Sequence, residues 1–288
     1  MTESRSENNI GISVVIICRD EPLLLQCIQS VDRGIEVVIV LNDPSAEVEE
    51  IARRVSEERN VVIVRIPLPG IARALNAGIS AAFNDWIFLL DSDCTCRPTT
   101  IAGMSGYRDR YRVIRGSVVF NGRNFFERVV ARTRNELVNR NLSARHPPLL
   151  FDRSIVHNTG TWFHDALQWS EDTDFDRRVR AAGISIGDAR EFAIDHKPLS
   201  MATDLRSAVS YGVGREIGKE LGIYTPHSLK SRINNVRDVF LRARAINSYA
   251  GLSSALYYFL IWNSAFRLGT CARRHFNWTP SSWHPRSQ

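Results

Sequence analysis

Two pairs of carboxylates stand out for what their spacing could do. Asp91 and Asp93 lie one residue apart, directly after the apolar run Trp86-Ile87-Phe88-Leu89-Leu90. Hard carboxylate oxygens suit Mg²⁺ or Mn²⁺, which takes one or two such ligands and leaves other positions to water or substrate phosphate. The second pair is Glu171 and Asp172, inside Trp169-Ser170-Glu171-Asp172-Thr173-Asp174. Ser170 is a candidate N-cap there, and the acids fall in the first turn of a helix, where the dipole favours their ionised form. A carboxylate so placed accepts a proton from an attacking hydroxyl once a substrate brings one within reach. Each pair also has an ordinary reading: Asp-rich stretches close turns, and acids begin helices well.

The elements around these acids follow from apolar periodicity. A short apolar run without alternation reads as a central strand of a parallel sheet, buried on both faces. In open α/β sheets the ligand crevice lies beyond the carboxyl ends of the strands, so Asp91 and Asp93 are expected at its rim. Ile12 to Cys18, Ile35 to Leu41 and Val61 to Ile66 read as three further strands. Between them, Pro22 precedes Leu24, Leu25, Ile28 and Val31 at helical spacing, and Ser45 caps a helix with Val48, Ile51, Ala52 and Val55 inward. Gly70 opens a helix of small residues. This alternation predicts a doubly wound, mostly parallel α/β sheet with right-handed crossovers.

Farther along, Val113 to Phe120 predicts a strand. The stretch 125–138 predicts a helix with Phe126, Val129, Val130, Leu137 and Val138 inward and Arg128, Arg132 and Arg134 outward. His157 to Trp162 reads as strand or turn. The helix opening at Glu171 buries Phe175, Val179 and Ala182 and stops at Gly183.

The chain has 288 residues, 44% hydrophobic and 24% charged, enough for one large domain or a domain with an appendage. Met1 to Asn9 is polar and lacks the apolar core of a signal peptide. Cys18, Cys27, Cys94, Cys96 and Cys271 form no paired framework and no Cys-x-x-Cys, which implies a reducing cytoplasmic setting. Cys94 and Cys96 flank the Asp-x-Asp pair but have no close thiol partners in sequence, and read as packing thiols. The net charge of +6 is uneven: from Met201 onward 12 Lys and Arg face 4 Asp and Glu. A basic C-terminal third invites an anionic partner, although a solvated helical face explains most such charges.

That third reads as helical over 205–221, 229–246 and 249–271. The 22 residues from Ala245 to Phe266 carry no formal charge and are flanked by Arg242, Arg244 and Arg267. Length alone allows a membrane span, but Asn247, Ser248, Ser253, Ser254, Asn263 and Ser264 make insertion costly. The expectation is a buried or interfacial helix whose Tyr257, Tyr258 and Trp262 pack on the catalytic domain. A peripheral contact with anionic lipid is the sharper alternative.

In order and spacing these parts resemble the catalytic domain of a family 2 glycosyltransferase with the GT-A fold. The matching pieces are the strand ending near Asp20-Glu21, the strand ending in Asn42-Asp43, Pro69-Gly70 through Ala74, Asn76 and Gly78, then Asp91-Ser92-Asp93, Glu171-Asp172 with its helix Arg177-Arg178-Val179-Arg180-Ala181-Ala182-Gly183, and His196. The match covers roughly residues 10–200, leaving 201–288 as a helical, basic extension packed on that domain.

The resemblance implies metal-dependent, inverting transfer of a sugar from a nucleotide-sugar donor to an acceptor hydroxyl, with Mg²⁺ or Mn²⁺ as cofactor. It implies Asp93 as direct metal ligand, Asp91 as donor-ribose or metal contact, His196 as a late metal ligand, Asp172 as catalytic base and Glu171 as its neighbour in the acceptor site. Donor contacts would come from Arg19, Asp20, Asp43, Arg73, Asn76 and Asp91. The departures fall in the donor pocket: Cys18-Arg19-Asp20 replaces Thr-Tyr-Asn, Asn42 replaces an acid, and Leu75 replaces an Arg. Arg19 and Arg73 could instead grip phosphates, since guanidinium matches phosphate in bidentate fashion. Pentosyl or phosphoribosyl transfer from a non-nucleotide pyrophosphate donor is therefore an alternative. A nucleotidyltransferase would want a Gly-rich loop with Lys after the first strand, which Cys18-Arg19-Asp20-Glu21-Pro22 does not supply. A non-catalytic basic module binding nucleic acid or membrane leaves Glu171-Asp172 unexplained, and no nucleic-acid-reading motif is present.

Overall fold

A computed structural model describes residues 10–224 and 249–280. The polar start at 1–9 and the helix expected over 229–246, with Arg242 and Arg244, lie outside the described residues. The chain divides into two compact units. The first comprises 10–118 and 141–196, the second 119–140, 197–224 and 249–280. The second unit thus takes in a segment from the middle of the chain as well as the C-terminal third.

In the first unit the chain alternates β1 (Ile12–Cys18), α1 (Leu24–Gln29), β2 (Glu36–Leu41), α2 (Ala46–Glu58), β3 (Val61–Arg65), α3 (Ile71–Ala81) and β4 (Trp86–Asp91). The strands pair in parallel in the order β3-β2-β1-β4. Strand residues alternate between faces. Val15, Val38, Val40, Ile87 and Leu89 meet Ala72, Ala74, Leu75 and Ile79 of α3 on one face, while Val14, Ile16, Val37, Ile39 and Phe88 are buried as well. Such two-sided burial is why these runs lack polar alternation. Small residues in α3 have a packing reason: a Cβ on Gly78 would stand 2.4 Å from Val15 Cγ1 and 2.8 Å from Val40 Cγ2. Ser45 caps α2 as expected, its Oγ accepting from the Val48 N–H.

Past β4 the sheet becomes mixed. The following elements are β5 (Cys94–Cys96), α4 (Thr100–Ser105), β6 (Val113–Phe120), α5 (Phe125–Asn139), β7 (Leu149–Asp152), α6 (Val156–Thr159), α7 (Glu171–Ala181) and β8 (Ile186–His196). β7 runs antiparallel to both β4 and β6, and β5 antiparallel to β8, in an eight-stranded order β3-β2-β1-β4-β7-β6-β8-β5. His157 to Trp162 begins in the short helix α6 rather than in a strand. Gly183 ends α7 as expected, with φ +71° and its N–H donating to the Arg180 carbonyl.

The second unit contains α5, α8 (Met201–Glu220), α9 (Tyr249–Leu256), a π-helical turn (Tyr257–Trp262) and α10 (Asn263–Phe276). α8 and α10 pack backbone to backbone: a Cβ on Gly212 would lie 2.0 Å from the Phe266 carbonyl oxygen, and one on Gly269 2.0 Å from that of Val209. Val129, Val130 and Tyr257 form its core with Leu199, Met201, Leu205 and Trp262 against them. The expected faces of α5 are corrected at two positions. Phe126 is 61% exposed, and Arg134 is turned inward, paired with the fully buried Asp204. Tyr257 Oη donates to the other Asp204 oxygen at 2.5 Å, and Arg134 lies over the rings of Tyr211 and Trp262. A buried carboxylate demands a cation, so Asp204 and not apolar periodicity sets which side of α5 faces in. Tyr257 and Trp262 accordingly pack on α5 and α8 within this unit.

Candidate functional site

β4 ends at Asp91, and the chain turns through Ser92 and Asp93 into β5. Antiparallel pairing sets Cys94 opposite His196, so two residues far apart in sequence share a point at the sheet's edge. His196 Nε2 lies 3.3 Å from Asp93 Oδ2, and the Cys94 thiol donates to Asp93 Oδ1 at 3.7 Å. One ligand atom from each of Asp93, Cys94 and His196 falls within 4.8 Å of the others. A carboxylate oxygen beside an imidazole nitrogen fits a divalent cation such as Mn²⁺ or Mg²⁺. Cys94 is buried, and burial, reinforced by the charges of Asp93 and Asp91, pushes its thiol well above the usual range. All five cysteines are free.

The second pair of acids opens α7, though not by the capping expected. Ser170 takes a left-handed backbone, φ 69°, and its side chain makes no cap; an N-cap needs extended backbone there. Asp174 is buried and spent on Arg177 and Arg178, each at 2.8 Å. Arg178 in turn donates to the carbonyls of Thr159, Thr161 and Trp162, tying the preceding loop to the helix. Asp172 is half-buried and accepts from Thr173 Oγ1 at 3.2 Å. Glu171 is buried, with Oε2 lacking a hydrogen-bond partner.

His146, which sequence reasoning missed, lies between the two acidic sites. Its Nε2 is 3.2 Å from Glu171 Oε1 and its Nδ1 is 3.8 Å from Asp91 Oδ1; the ring meets Phe163 edge-on at 5.7 Å. Burial disfavours the imidazolium, but Asp91 and Glu171 outweigh it and raise the pKa to about 10. Burial and the neighbouring Asp172 raise Glu171, against the pull of His146. The loop carrying His146 is held by Arg115, whose Nη1 donates to the carbonyls of Arg145, Pro147 and Pro148 at 2.7, 2.5 and 2.9 Å. Both His146-Pro147 and Pro147-Pro148 are cis. Arg115 is itself 1% exposed; burial lowers its pKa to about 10, with Asp172 and Asp91 close enough to oppose the shift. A sequence signal existed: an arginine inside the apolar strand Val113-Ile114-Arg115-Gly116 is a charge that must find buried acceptors.

On the donor side, pairing Cys18 with Leu41 and Ile17 with Asp91 brings Arg19, Asp43 and Asp91 to one carboxyl edge of the sheet. Arg19 Nη2 lies 2.5 Å from Asp43 Oδ2, and Asp43 sits at φ 58°, a region Asp tolerates. Asn42 Oδ1 accepts from the Gly70 N–H at 2.8 Å, fixing the start of α3. Asp20 is exposed. Arg73 donates back to the Pro69 carbonyl at 2.7 Å. Asn76 gives its amide to the Phe163 carbonyl and Asp165, and its oxygen accepts from the Phe163 N–H. Arg73 and Asn76 therefore engage protein around α3 and the 163–165 loop.

A family model described as Glycosyl transferase family 2 matches residues 13–165, more than half of the chain. No curated protein matches. Among solved structures, the mannosyltransferase PcManGT from Pyrobaculum calidifontis, in complex with GDP-Man and Mn²⁺, is 15% identical with TM-score 0.60, over 93% of this chain and 88% of that one. TarS 1–349 of S. aureus, in complex with UDP-GlcNAc, is 13% identical with TM-score 0.51, over 92% of each chain. At these identities the likeness is one of fold.

Proposed function

The chain belongs to glycosyltransferase family 2; on that premise we propose that it is a divalent-metal-dependent, inverting enzyme moving a sugar from a nucleotide-sugar donor to an acceptor hydroxyl. One observation carries the reading. Buried His146 lies 3.8 Å from Asp91 at the end of β4 and 3.2 Å from Glu171 at the start of α7, so one side chain stands between the two acidic sites. The nucleotide sugars held by PcManGT and TarS, and the Mn²⁺ in the former, support the choice of donor and cation.

In this reading Asp93 and His196, with Asp91 beside them, hold Mg²⁺ or Mn²⁺, which when bound offsets charge on the leaving diphosphate. Arg19, Asp20, Asp43 and Asp91 line the donor side at the carboxyl ends of β1, β2 and β4, while Arg73 and Asn76 shape the pocket through α3. Asp172 accepts the acceptor's proton as the oxygen attacks the anomeric carbon. Glu171, held against His146, fixes the wall beside it. A single base facing away from the leaving group implies inversion, by analogy with inverting glycosidases. The pyrophosphate-sugar alternative rests on Arg19 and Arg73 as phosphate grips; the nucleotide sugars held by the structural neighbours favour the nucleotide sugar. No helix among the described residues is long and apolar enough to cross a membrane, and we place the enzyme in the cytoplasm with a peripheral lipid contact through its second unit.

Asp172→Asn and Asp93→Ala are each expected to cut turnover by about a hundredfold or more with the far-ultraviolet dichroism unchanged, the scale of losing a general base or a charge-stabilising ligand. Full activity in Asp172→Asn overturns the mechanism. Thermal-shift measurements with nucleoside diphosphates, nucleotide sugars and phosphoribosyl pyrophosphate, each with Mn²⁺, identify the donor class, since a ligand of the native state raises its melting point.

A further inference from the structure

We propose that Arg115 is a positioning residue for the base Asp172: it anchors the loop that carries His146 and supplies a buried positive charge to the acids at the start of α7. The proposal rests on the transferase reading above and adds to it the residue that holds the base in place.

The geometry starts in the sheet. Arg115 stands in β6 directly opposite Leu149 of β7, so it meets the 142–148 loop where that loop enters the sheet. Its Nη1 reaches the carbonyls of Arg145, Pro147 and Pro148, on both sides of His146. Gly116 lets the strand come close: a Cβ there would lie 2.9 Å from Pro148 Cγ. α7 takes the other end of the loop. Asp176 Oδ1 accepts from the Ala144 N–H at 2.7 Å, and Arg180 donates to the Leu142 carbonyl. Between these two anchors His146 stands 3.2 Å from Glu171, the residue before Asp172. Contacts therefore run from β6 through the loop to the first turn of α7.

Carbonyls alone do not call for a cation, because any neutral donor satisfies them. A guanidinium that is 1% exposed carries a desolvation cost that neighbouring carboxylates must offset. Burial opposes the charge of Arg115; Asp172 is the strongest charge acting in its favour and Asp91 the next, against Arg145 and Arg190. Its Nη2 is buried and has no hydrogen-bond partner among the described residues, so this nitrogen acts on the acids through its field. His146 serves Asp91 and Glu171, and Arg115 serves Asp172 and Asp91. Each acid at this point thus has a buried cation acting on it, and for Asp172 that cation is Arg115.

A double-mutant cycle on metal-free, full-length protein reads the coupling directly. Urea denaturation of wild type, Arg115→Met, Asp172→Asn and the double variant would be compared at one pH. Arg115→Met should lower the midpoint, and lower it less once Asp172 is Asn, because a neutral partner has less to lose. Arg115→Gln, which keeps a donor without the charge, runs the same cycle should Arg115→Met not fold. Release of nucleoside diphosphate from UDP-GlcNAc and from GDP-mannose, with Mn²⁺, gives the kinetic half. In Arg115→Met kcat should fall by about tenfold or more, the scale of a misplaced catalytic group, with donor KM within about twofold of wild type. Arg115→Lys keeps a cation and should recover part of that loss. Additive midpoints assign Arg115 to clamping the loop alone, and a raised KM at unchanged kcat assigns it to the donor; either result overturns the proposal and leaves the transferase standing. Should wild type turn over neither donor, the function reading loses its support while the urea cycle still decides for or against Arg115.

Discussion

His146 is buried between two carboxylates, with Nδ1 3.8 Å from Asp91 Oδ1 and Nε2 3.2 Å from Glu171 Oε1. Removing its charge strands a buried Glu171, whose second oxygen already lacks a partner. His146→Gln keeps a polar side chain without the charge. It should lower kcat by about tenfold or more, since attraction between opposite charges strengthens in a low dielectric, and single-turnover assays would separate that loss from a change in donor KM. A pH signature goes with it. The folded pKa of about 10 lies above the unfolded value of about 6.5. The imidazolium therefore contributes its full stability below about pH 6.5, and the contribution is lost as pH rises through about 10. Urea denaturation of the metal-free protein should show stability falling from pH 7 to pH 10 more steeply in wild type than in His146→Gln; parallel slopes would contradict the bridging role.

Secondary-structure elements divide by how local their signals are. β1 to β4, the Ser45 cap, the small-residue helix after Gly70 and the Gly183 stop are legible because each is written in a few consecutive residues. Asp93 and His196 meet across β5 and β8, and that meeting was reachable only through family resemblance, since β5 is three residues long and has no periodicity to read. His146 escaped for a similar reason: its loop is placed by carbonyl bonds to Arg115 rather than by any pattern of its own. Apolar periodicity misassigns the inward face of α5 because Asp204, on another helix, recruits Arg134. That pair makes a prediction at this scale. Arg134→Met leaves a fully buried carboxylate without its cation and should cost about 3 to 5 kcal/mol. Adding Asp204→Leu should restore much of it, a recovery that thermal or urea denaturation of the single and double variants measures directly. An exposed, weakly coupled pair would instead give small and additive effects.

Over the whole molecule, charge and apolar exposure gather in the same third of the chain. The basic surplus lies after Met201, and there Leu252, Leu256 and Leu260 stand exposed at four-residue intervals along α9 and the π-helical turn, with Ile261, Leu268, Phe276 and Trp278 exposed as well. The inner side of the same helices is occupied by Tyr257 on Asp204 and by the Tyr258, Trp262 and Phe266 stack, so the leucines face outward by construction. An apolar stripe beside Arg267 is the pattern of a helix lying in a bilayer interface, where buried area and attraction to anionic lipid add. The protein should co-sediment with vesicles containing phosphatidylserine or phosphatidylglycerol and much less with pure phosphatidylcholine. Raising salt should release only part of it, because electrostatic attraction is screened while apolar burial is not. Leu256→Ser with Leu260→Ser should weaken binding to both kinds of vesicle without touching catalysis on a soluble acceptor analogue. Binding that is fully reversed by salt, or unaffected by the serine pair, would assign the exposed leucines to something other than lipid.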